Sequence, residues 1–522
     1  MSLTTVQFFL FIIVGGLLFY LVPKRFQWVC LLGLSYFFFC YGGIETVIYI
    51  IATTITVWGG ALLIWNIEKK TKRVIKETVP KIDKEEKKRI KKKCKTKKLL
   101  ILWSILLINL GILSYFKYTG FVLENFFGST ALSALILPLG ISFYTFQSIS
   151  YIMDVYWEKI EPDKNLFKFA LYISFFPQII QGPIARHSDL AKQLYGKHVF
   201  DLEKIEYGVL RMLWGYFKKM VIADRAGVVV NCIFEQPDEY GGAIALVGAL
   251  FYAVQQYADF SGGIDVVIGV GELFDIRMTE NFSRPYFSRS LAEFWRRWHI
   301  TLGAWMRDYV FYPLAMTSPM RKFGQICKKL FGEHVGKVAP VALGNIVVFF
   351  LVGVWHGAQG HYVLWGLYNG IIIAISALLE PVYNKTKAIL HIKQEATWFV
   401  LFGIVRTFLI VTYGGFFDRA TEVRAAFSMI GRTFFDVRIH ELTQEMFLGF
   451  GLSTVDYIIL MVATIALFGI EIIQERKAVS IRKSVMSKPL LIRWIILYIF
   501  IFSIIAFMFD TNGGGGFMYA QF

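Results

Sequence analysis

Residues 5–22 read TVQFFLFIIVGGLLFYLV and residues 99–115 read LLILWSILLINLGILSY, two runs without a formal charge. The stretch from Trp28 to Trp65 is similarly apolar and contains one charge, Glu45. A helix of roughly 20 residues crosses a hydrocarbon layer about 30 Å thick, so each run has the reach of a membrane span. A soluble core of this hydrophobicity would need a charged skin, yet only 18% of residues are charged, 56% are hydrophobic and the mean hydropathy is +0.53. Lipid offers no partners to the backbone, which leaves helices or closed barrels as the spanning structures. A barrel needs short alternating segments, whereas these runs are continuous, so we expect an all-α polytopic membrane protein. The 44 glycines fit that reading, because small residues let membrane helices approach closely. The first run lacks a basic start and a small-residue cleavage pattern, and is read as the first membrane helix rather than a signal peptide.

The formal net charge of +17 is unevenly placed. Between Glu68 and Lys98 there are 16 Lys and Arg against 5 Asp and Glu. A short basic loop between apolar segments is retained on the cytoplasmic side and can touch anionic head groups of membrane lipids. The basic charge is therefore assigned to topology, and no nucleic-acid partner is expected. With three spans before this loop, the N-terminus lies outside. Cys30, Cys40, Cys94, Cys232 and Cys327 are scattered without paired spacing, so neither a disulfide framework nor a metal site is expected.

We read residues 1–522 as a single membrane-embedded domain with a basic cytoplasmic loop at 68–98 and a core region at 137–370. Spans are predicted near 5–22, 27–46, 47–66 and 98–117. Others follow near 206–232, 241–258, 341–354, 362–379, 396–415, 454–473 and 490–508, giving about 10–12 crossings by pattern. From Ala131 onward, proline and glycine interrupt the apolar stretches, as in Leu137-Pro138-Leu139-Gly140 and Phe176-Pro177-Gln178. Irregular backbone at membrane depth must be buried in protein or line a cavity, which predicts re-entrant or broken helices. The stretch 316–338 reads as a basic loop and 416–443 as a small excursion outside the membrane. Arg284 to Arg307 reads as an interfacial or cavity-edge helix with Leu291, Phe294, Trp295 and Trp298 on one face.

His356 follows the apolar run Leu351-Val352-Gly353-Val354-Trp355 and precedes Gly357. An imidazole at membrane depth needs a partner or a cavity, and it can exchange protons near neutral pH. Its residue context leaves general-base catalysis, structural hydrogen bonding and metal binding open. His361, five residues on, has the wrong spacing to share one helical face with it. His299 is the second catalytic candidate, in a tract whose Arg296 and Arg297 suit phosphate or carboxylate groups. Asn345, Gln181, Trp298 and Trp355 join those arginines as substrate-binding candidates. Asp259, Ser261, Asp265, Arg307 and Asp308 are read as structural or cavity-lining polar groups, with the two aspartates expected to pair with arginines of the 284–307 tract. A polar path through Asp259, Asp265 and the histidines is the transporter alternative. No phosphate-loop or zinc-protease spacing is present.

Several tracts together resemble the membrane-bound O-acyltransferase family. They are Ser142-Phe143-Tyr144-Thr145-Phe146-Gln147, Phe175-Phe176-Pro177-Gln178 with Gln181-Gly182-Pro183-Ile184, and Asp259-Phe260-Ser261-Gly262. Further along come Phe294-Trp295-Arg296-Arg297-Trp298-His299, Trp305-Met306-Arg307-Asp308-Tyr309 and Val354-Trp355-His356-Gly357. Ile149-Ser150-Tyr151-Ile152-Met153-Asp154-Val155-Tyr156 and the ending Phe517-Met518-Tyr519-Ala520-Gln521-Phe522 are similar to the family branch that O-acetylates bacterial exopolysaccharides. A shorter branch, for D-alanyl transfer to teichoic acid, is the competitor. Gly263 and Asp418 depart from the pattern, at positions that can shape the acceptor side. The resemblance implies a multi-helix bundle with a central funnel, His356 as the family histidine and His299 as the second histidine of the bacterial branch. It further implies no cofactor, an acyl thioester such as acetyl-CoA as donor, and an extracytoplasmic polysaccharide or an acetyl-relay protein as acceptor. In that chemistry a backbone N–H near Gly357 or the His299 side chain serves as oxyanion donor.

Overall fold

The computed structural model describes residues 1–78, 83–128, 138–508 and 517. Leu137, residues 79–82 of the basic stretch and the ending 518–522 lie outside the described residues. The described residues are mostly helical with no strand among them, as the continuous apolar runs require. Among the described residues, eight helices are long and apolar enough to cross a membrane, and Val6–Leu21 is a shorter apolar helix. The chain is a multi-pass membrane protein.

The chain divides into two compact units, Met1–Ile205 with Val270–Thr279, and Glu206–Gly269 with Glu280–Gln521. In the first, helices Val47–Thr78 and Lys84–Phe127 run against each other, with Ile105 packed where Gly60 has no side chain. The basic stretch at 68–98 is helical on both sides of residues 79–82 rather than a loop, and Lys98 turns back onto Glu68 at 2.7 Å. The segment expected at 27–46 is the 16-residue helix Gln27–Gly42, ended by Gly43 at φ 141°. At 1.5 Å per residue it is about 24 Å long, less than a full hydrocarbon layer.

In the second unit the segment expected as a span at 206–232 is broken. Helix Leu202–Tyr216 passes through a π-helical turn, Phe217–Ala223, into Asp224–Glu235, and carries the buried cations Arg211, Lys218, Lys219 and Arg225. The stretch at 316–338 is also helical. It belongs to Ser318–His356, which reverses at Gly332, where φ 87° and ψ 178° interrupt the helix. The polar stretch at 416–443 contains helix Val423–Phe435.

Helices Ser318–His356 and Gly360–Leu378 form the closest pair. A Cβ on Gly366 would lie 2.3 Å from the Phe349 carbonyl, and one on Gly353 would lie 2.5 Å from the Tyr362 carbonyl. Only glycine permits backbones this close. The hairpin therefore folds the end of the first helix, His356, directly onto the start of the second.

Candidate active site

His356 ends its helix and is 5% exposed. Gly357 leaves the helix in extended conformation, and its missing side chain makes room for the Tyr362 ring, 2.4 Å from where a Cβ would stand. The His356 ring is T-shaped against Trp365 at 4.7 Å, parallel to Tyr362 at 6.2 Å and edge-on to Trp355 at 5.0 Å. It is enclosed by aromatic faces in the low-dielectric setting that the apolar flanks predict.

His299 is reached differently. Ser290 caps helix Leu291–Arg297 by accepting from the Glu293 N–H at 3.2 Å, and the helix ends at Trp298. His299 follows at φ 45°, ψ 54°, and a second short helix, Ile300–Met306, begins after it. The single interfacial helix expected over 284–307 is thus two helices joined at a left-handed histidine, a conformation that costs a non-glycine residue about 1–2 kcal/mol. Asn281 holds the turn. Its backbone carbonyl accepts from Ile300 N–H at 2.9 Å, and its Oδ1 accepts from Thr301 N–H at 3.0 Å and from the Thr301 hydroxyl at 2.9 Å.

The same Oδ1 is 3.2 Å from His299 Nδ1. Because Thr301 N–H can only donate, the atom it meets is an oxygen, and Nδ1 must carry the ring proton. Nε2 is then a lone-pair acceptor, buried without a partner among the described residues. His299 is 3% exposed and outside the eight spans, and burial lowers its pKa. A neutral ring in this tautomer offers a base, not an N–H, so it does not supply the oxyanion donor considered above. Its ring is 4.9 Å from Phe260 and 6.3 Å from Trp355. Trp355 therefore borders both imidazoles.

The other candidates divide by environment. Arg296 is exposed, whereas Arg297 is engaged with Glu293 at 2.7 Å and Glu475 at 2.8 Å. Trp298 is core, packed on Phe282 at 5.0 Å and Phe294 at 5.4 Å. Asn345 is half-buried on the helix facing Gly370. Arg307 and Asp308 pair with each other at 2.8 Å on the π-helical turn Arg307–Phe311.

Asp259 and Asp265 are ion-paired, but not with the 284–307 tract. Asp259 is fully buried and meets Lys219 at 2.7 Å, and Asp265 meets Lys218 at 2.5 Å and Arg211 at 2.9 Å. Ser261 accepts from Lys218 at 2.8 Å. The cause is a glycine crossing: a Cβ on Gly215 would be 2.5 Å from the Gly262 carbonyl, so the π-helical lysines fall directly on the acids. Arginines 284 and 297 instead bind Glu475.

Gln181 belongs to the first unit, on helix Phe176–Gln181. That segment and helix Ile141–Tyr156 meet at Gly140, where a Cβ would lie 2.3 Å from the Ile179 carbonyl. Tyr144, Gln147, Ser148, Ser174, Gln178 and Gln181 here carry buried polar atoms without partners among the described residues. Such atoms cost about 1–3 kcal/mol each if unsatisfied, so an uncharged polar guest or water suits them. Only Gln181 is a site candidate from sequence, although the quoted tracts contain three of the others, Tyr144, Gln147 and Gln178. Asn281 and Asn369, whose Oδ1 accepts from Trp295 Nε1 at 3.1 Å, carried no sequence signal.

The chain matches the family model described as MBOAT, membrane-bound O-acyltransferase family, over residues 162–326. That range contains Asp259, Arg296, Arg297 and His299 and ends before His356. The chain is 35% identical over 373 residues to a probable alginate O-acetylase of Pseudomonas putida, covering 70% of each protein. It is 31% identical over 364 residues to a peptidoglycan O-acetyltransferase of Helicobacter pylori, covering 63% of this chain and 64% of that one. A teichoic acid D-alanyltransferase of Bacillus subtilis is 29% identical over 287 residues, covering 54% of this chain and 68% of that one.

Proposed function

The chain belongs to the membrane-bound O-acyltransferase family, and on that premise we propose that it transfers an acetyl group from a cytoplasmic thioester, acetyl-CoA or another acyl thioester, towards an extracytoplasmic polysaccharide of the bacterial cell surface. The observation that carries this reading is the pair of buried imidazoles, His356 and His299, bordering one indole, Trp355. His356 acts as general base and takes the proton of the acceptor hydroxyl. The hydroxyl oxygen attacks the thioester carbonyl, the tetrahedral adduct collapses, and the carbon–sulfur bond breaks. The departing thiolate receives the proton from His356, so the base is restored and an ester is formed. His299 Nε2 is a second acceptor that can orient a hydroxyl or an imidazole N–H. A backbone N–H near Gly357 is the remaining candidate for the oxyanion. Arg296, exposed and without a carboxylate partner among the described residues, suits the donor's phosphates. Enclosure by Trp355, Tyr362 and Trp365 keeps bulk water from the thioester.

Acetyl rather than D-alanyl transfer is supported by the two acetyl-transferring relatives, each with a polysaccharide or cell-wall acceptor in its name. A partner protein that relays the acetyl group is compatible with the same chemistry. The ion pairing of Asp259 and Asp265 removes the free carboxylates on which a transport path was drawn. The test is detergent-purified protein with labelled acetyl thioester and an oligosaccharide acceptor. His356→Ala is expected to lose at least a hundredfold in transfer while remaining monodisperse, with a smaller loss for His299→Ala. Near-normal turnover of His356→Ala removes the assigned base. Mass analysis of cell-surface polymers showing D-alanyl esters lost on deletion, with acetyl esters intact, selects the other donor.

A further inference from the structure

An open cavity of about 340 Å³ lies between helices Gly360–Leu378 and Thr397–Arg419. Its walls are almost wholly apolar, from Tyr368, Phe402, Val405, Leu409 and Tyr413, and the exception is Arg406. Thr397–Arg419 is one of the eight spans, so this groove opens along a helix that faces lipid. Arg406 is exposed. It forms no ion pair among the described residues, although the nearby Arg289 is paired with Glu395.

A guanidinium partway along a membrane helix is costly without an anionic or polar partner. Arg406 is eight residues past Trp398, an exposed tryptophan at the start of the helix and of the kind that marks head-group depth. That is about 12 Å along the axis. Helical side chains lean toward the N-terminus, and this one does. It is 5.7 Å from the Phe402 ring, one turn back, and donates to the Arg289 carbonyl at 2.8 Å. The side chain thus snorkels from the groove toward the interface, with one of its five N–H groups accounted for.

We propose that this groove is a binding site for an anionic phospholipid, with one acyl chain along the apolar wall and the phosphate on Arg406. Charge complementarity selects the occupant: an apolar trough is indifferent to head group, and an unpaired guanidinium at its mouth is not.

Native mass spectrometry of the full chain, released from membranes containing phosphatidylglycerol and phosphatidylcholine, reads the site directly. Wild-type protein is expected to retain phosphatidylglycerol over phosphatidylcholine. Arg406→Gln keeps a donor for the Arg289 carbonyl but removes the charge, and should lower that preference at least fivefold. Leu409→Trp, which fills the trough, should reduce retention of phosphatidylglycerol even with Arg406 in place. Inorganic phosphate at millimolar concentration should not displace the lipid. Equal retention of the two lipids by wild type, an unchanged preference in Arg406→Gln, or displacement by phosphate alone would each overturn the proposal.

Discussion

At His299 a single proton decides what the side chain can do, and Asn281 decides where that proton is. Thr301 fixes the orientation of the Asn281 amide, the amide oxygen fixes the proton on Nδ1, and Nε2 is left basic. Replacing the amide by a carboxylate, Asn281→Asp, preserves an acceptor in the same place but adds a negative charge beside the ring. The imidazolium is then favoured, so the ring keeps its second proton to higher pH. Acyl transfer that needs free Nε2 should show its acid limb displaced upward by about one pH unit or more in kcat/KM, with the alkaline limb unmoved. Asn281→Leu instead strands the Thr301 donors and should cost about 1–3 kcal/mol in stability. A pH profile of the Asp variant that superimposes on wild type would mean that the His299 lone pair is not used.

Among the elements, the broken helix between Leu202 and Glu235 concentrates the most charge in the least water. A π-helical turn inserts an extra residue per turn and is a frequent mark of functional or strained sites. Here it places two consecutive lysines on the same neighbour, Lys218 on Asp265 and Lys219 on Asp259. Breaking a buried pair leaves an uncompensated charge, whereas replacing both partners by apolar groups can be nearly neutral. Lys219→Met should therefore destabilise the protein by about 3–5 kcal/mol, and Lys219→Met with Asp259→Leu should recover most of it. Asp224, the other partner of Lys219 at 2.9 Å, retains some solvent access and needs no second replacement. Thermal unfolding in detergent of the four members of the cycle measures the coupling, and additive losses would show that Asp259 has another partner. This pairing also marks how far sequence reasoning carried. The long spans were legible because lipid imposes length and apolarity together, and His356 was legible because an imidazole between such spans is expensive. Lys218 and Lys219 were not, since their partners are about forty residues away and are chosen by the Gly215–Gly262 crossing. Asn281 was invisible for the same reason. The break at His299 was hidden because aromatic residues at helical spacing continue through it, and only backbone geometry shows where the helix stops.

On the scale of the whole molecule, charge and helix length together predict which end of the helices faces the cytoplasm. Lys84–Phe127 contains 44 residues, about 66 Å of helix, more than twice the hydrocarbon thickness. Its apolar part begins at Leu99, so the basic turns before it project beyond the membrane, beside the end of Val47–Thr78. Lys98 at the boundary is neutralised by Glu68 at 2.7 Å and Glu158 at 3.4 Å, while most of the lysines preceding it are exposed. Exposed lysine without acidic compensation is held on the cytoplasmic face, where anionic lipid attracts it. A cysteine at Lys88 in a background without the five native cysteines should resist a membrane-impermeant maleimide added to intact cells with a permeabilised outer layer. It should react fully once the inner membrane is opened. The same reagent should label a cysteine at Ser2 in intact cells if all three apolar helices before the basic turns cross. Labelling at Lys88 from outside would invert the molecule, and would place the basic turns on the side proposed above for the acceptor instead of the side proposed for the thioester donor.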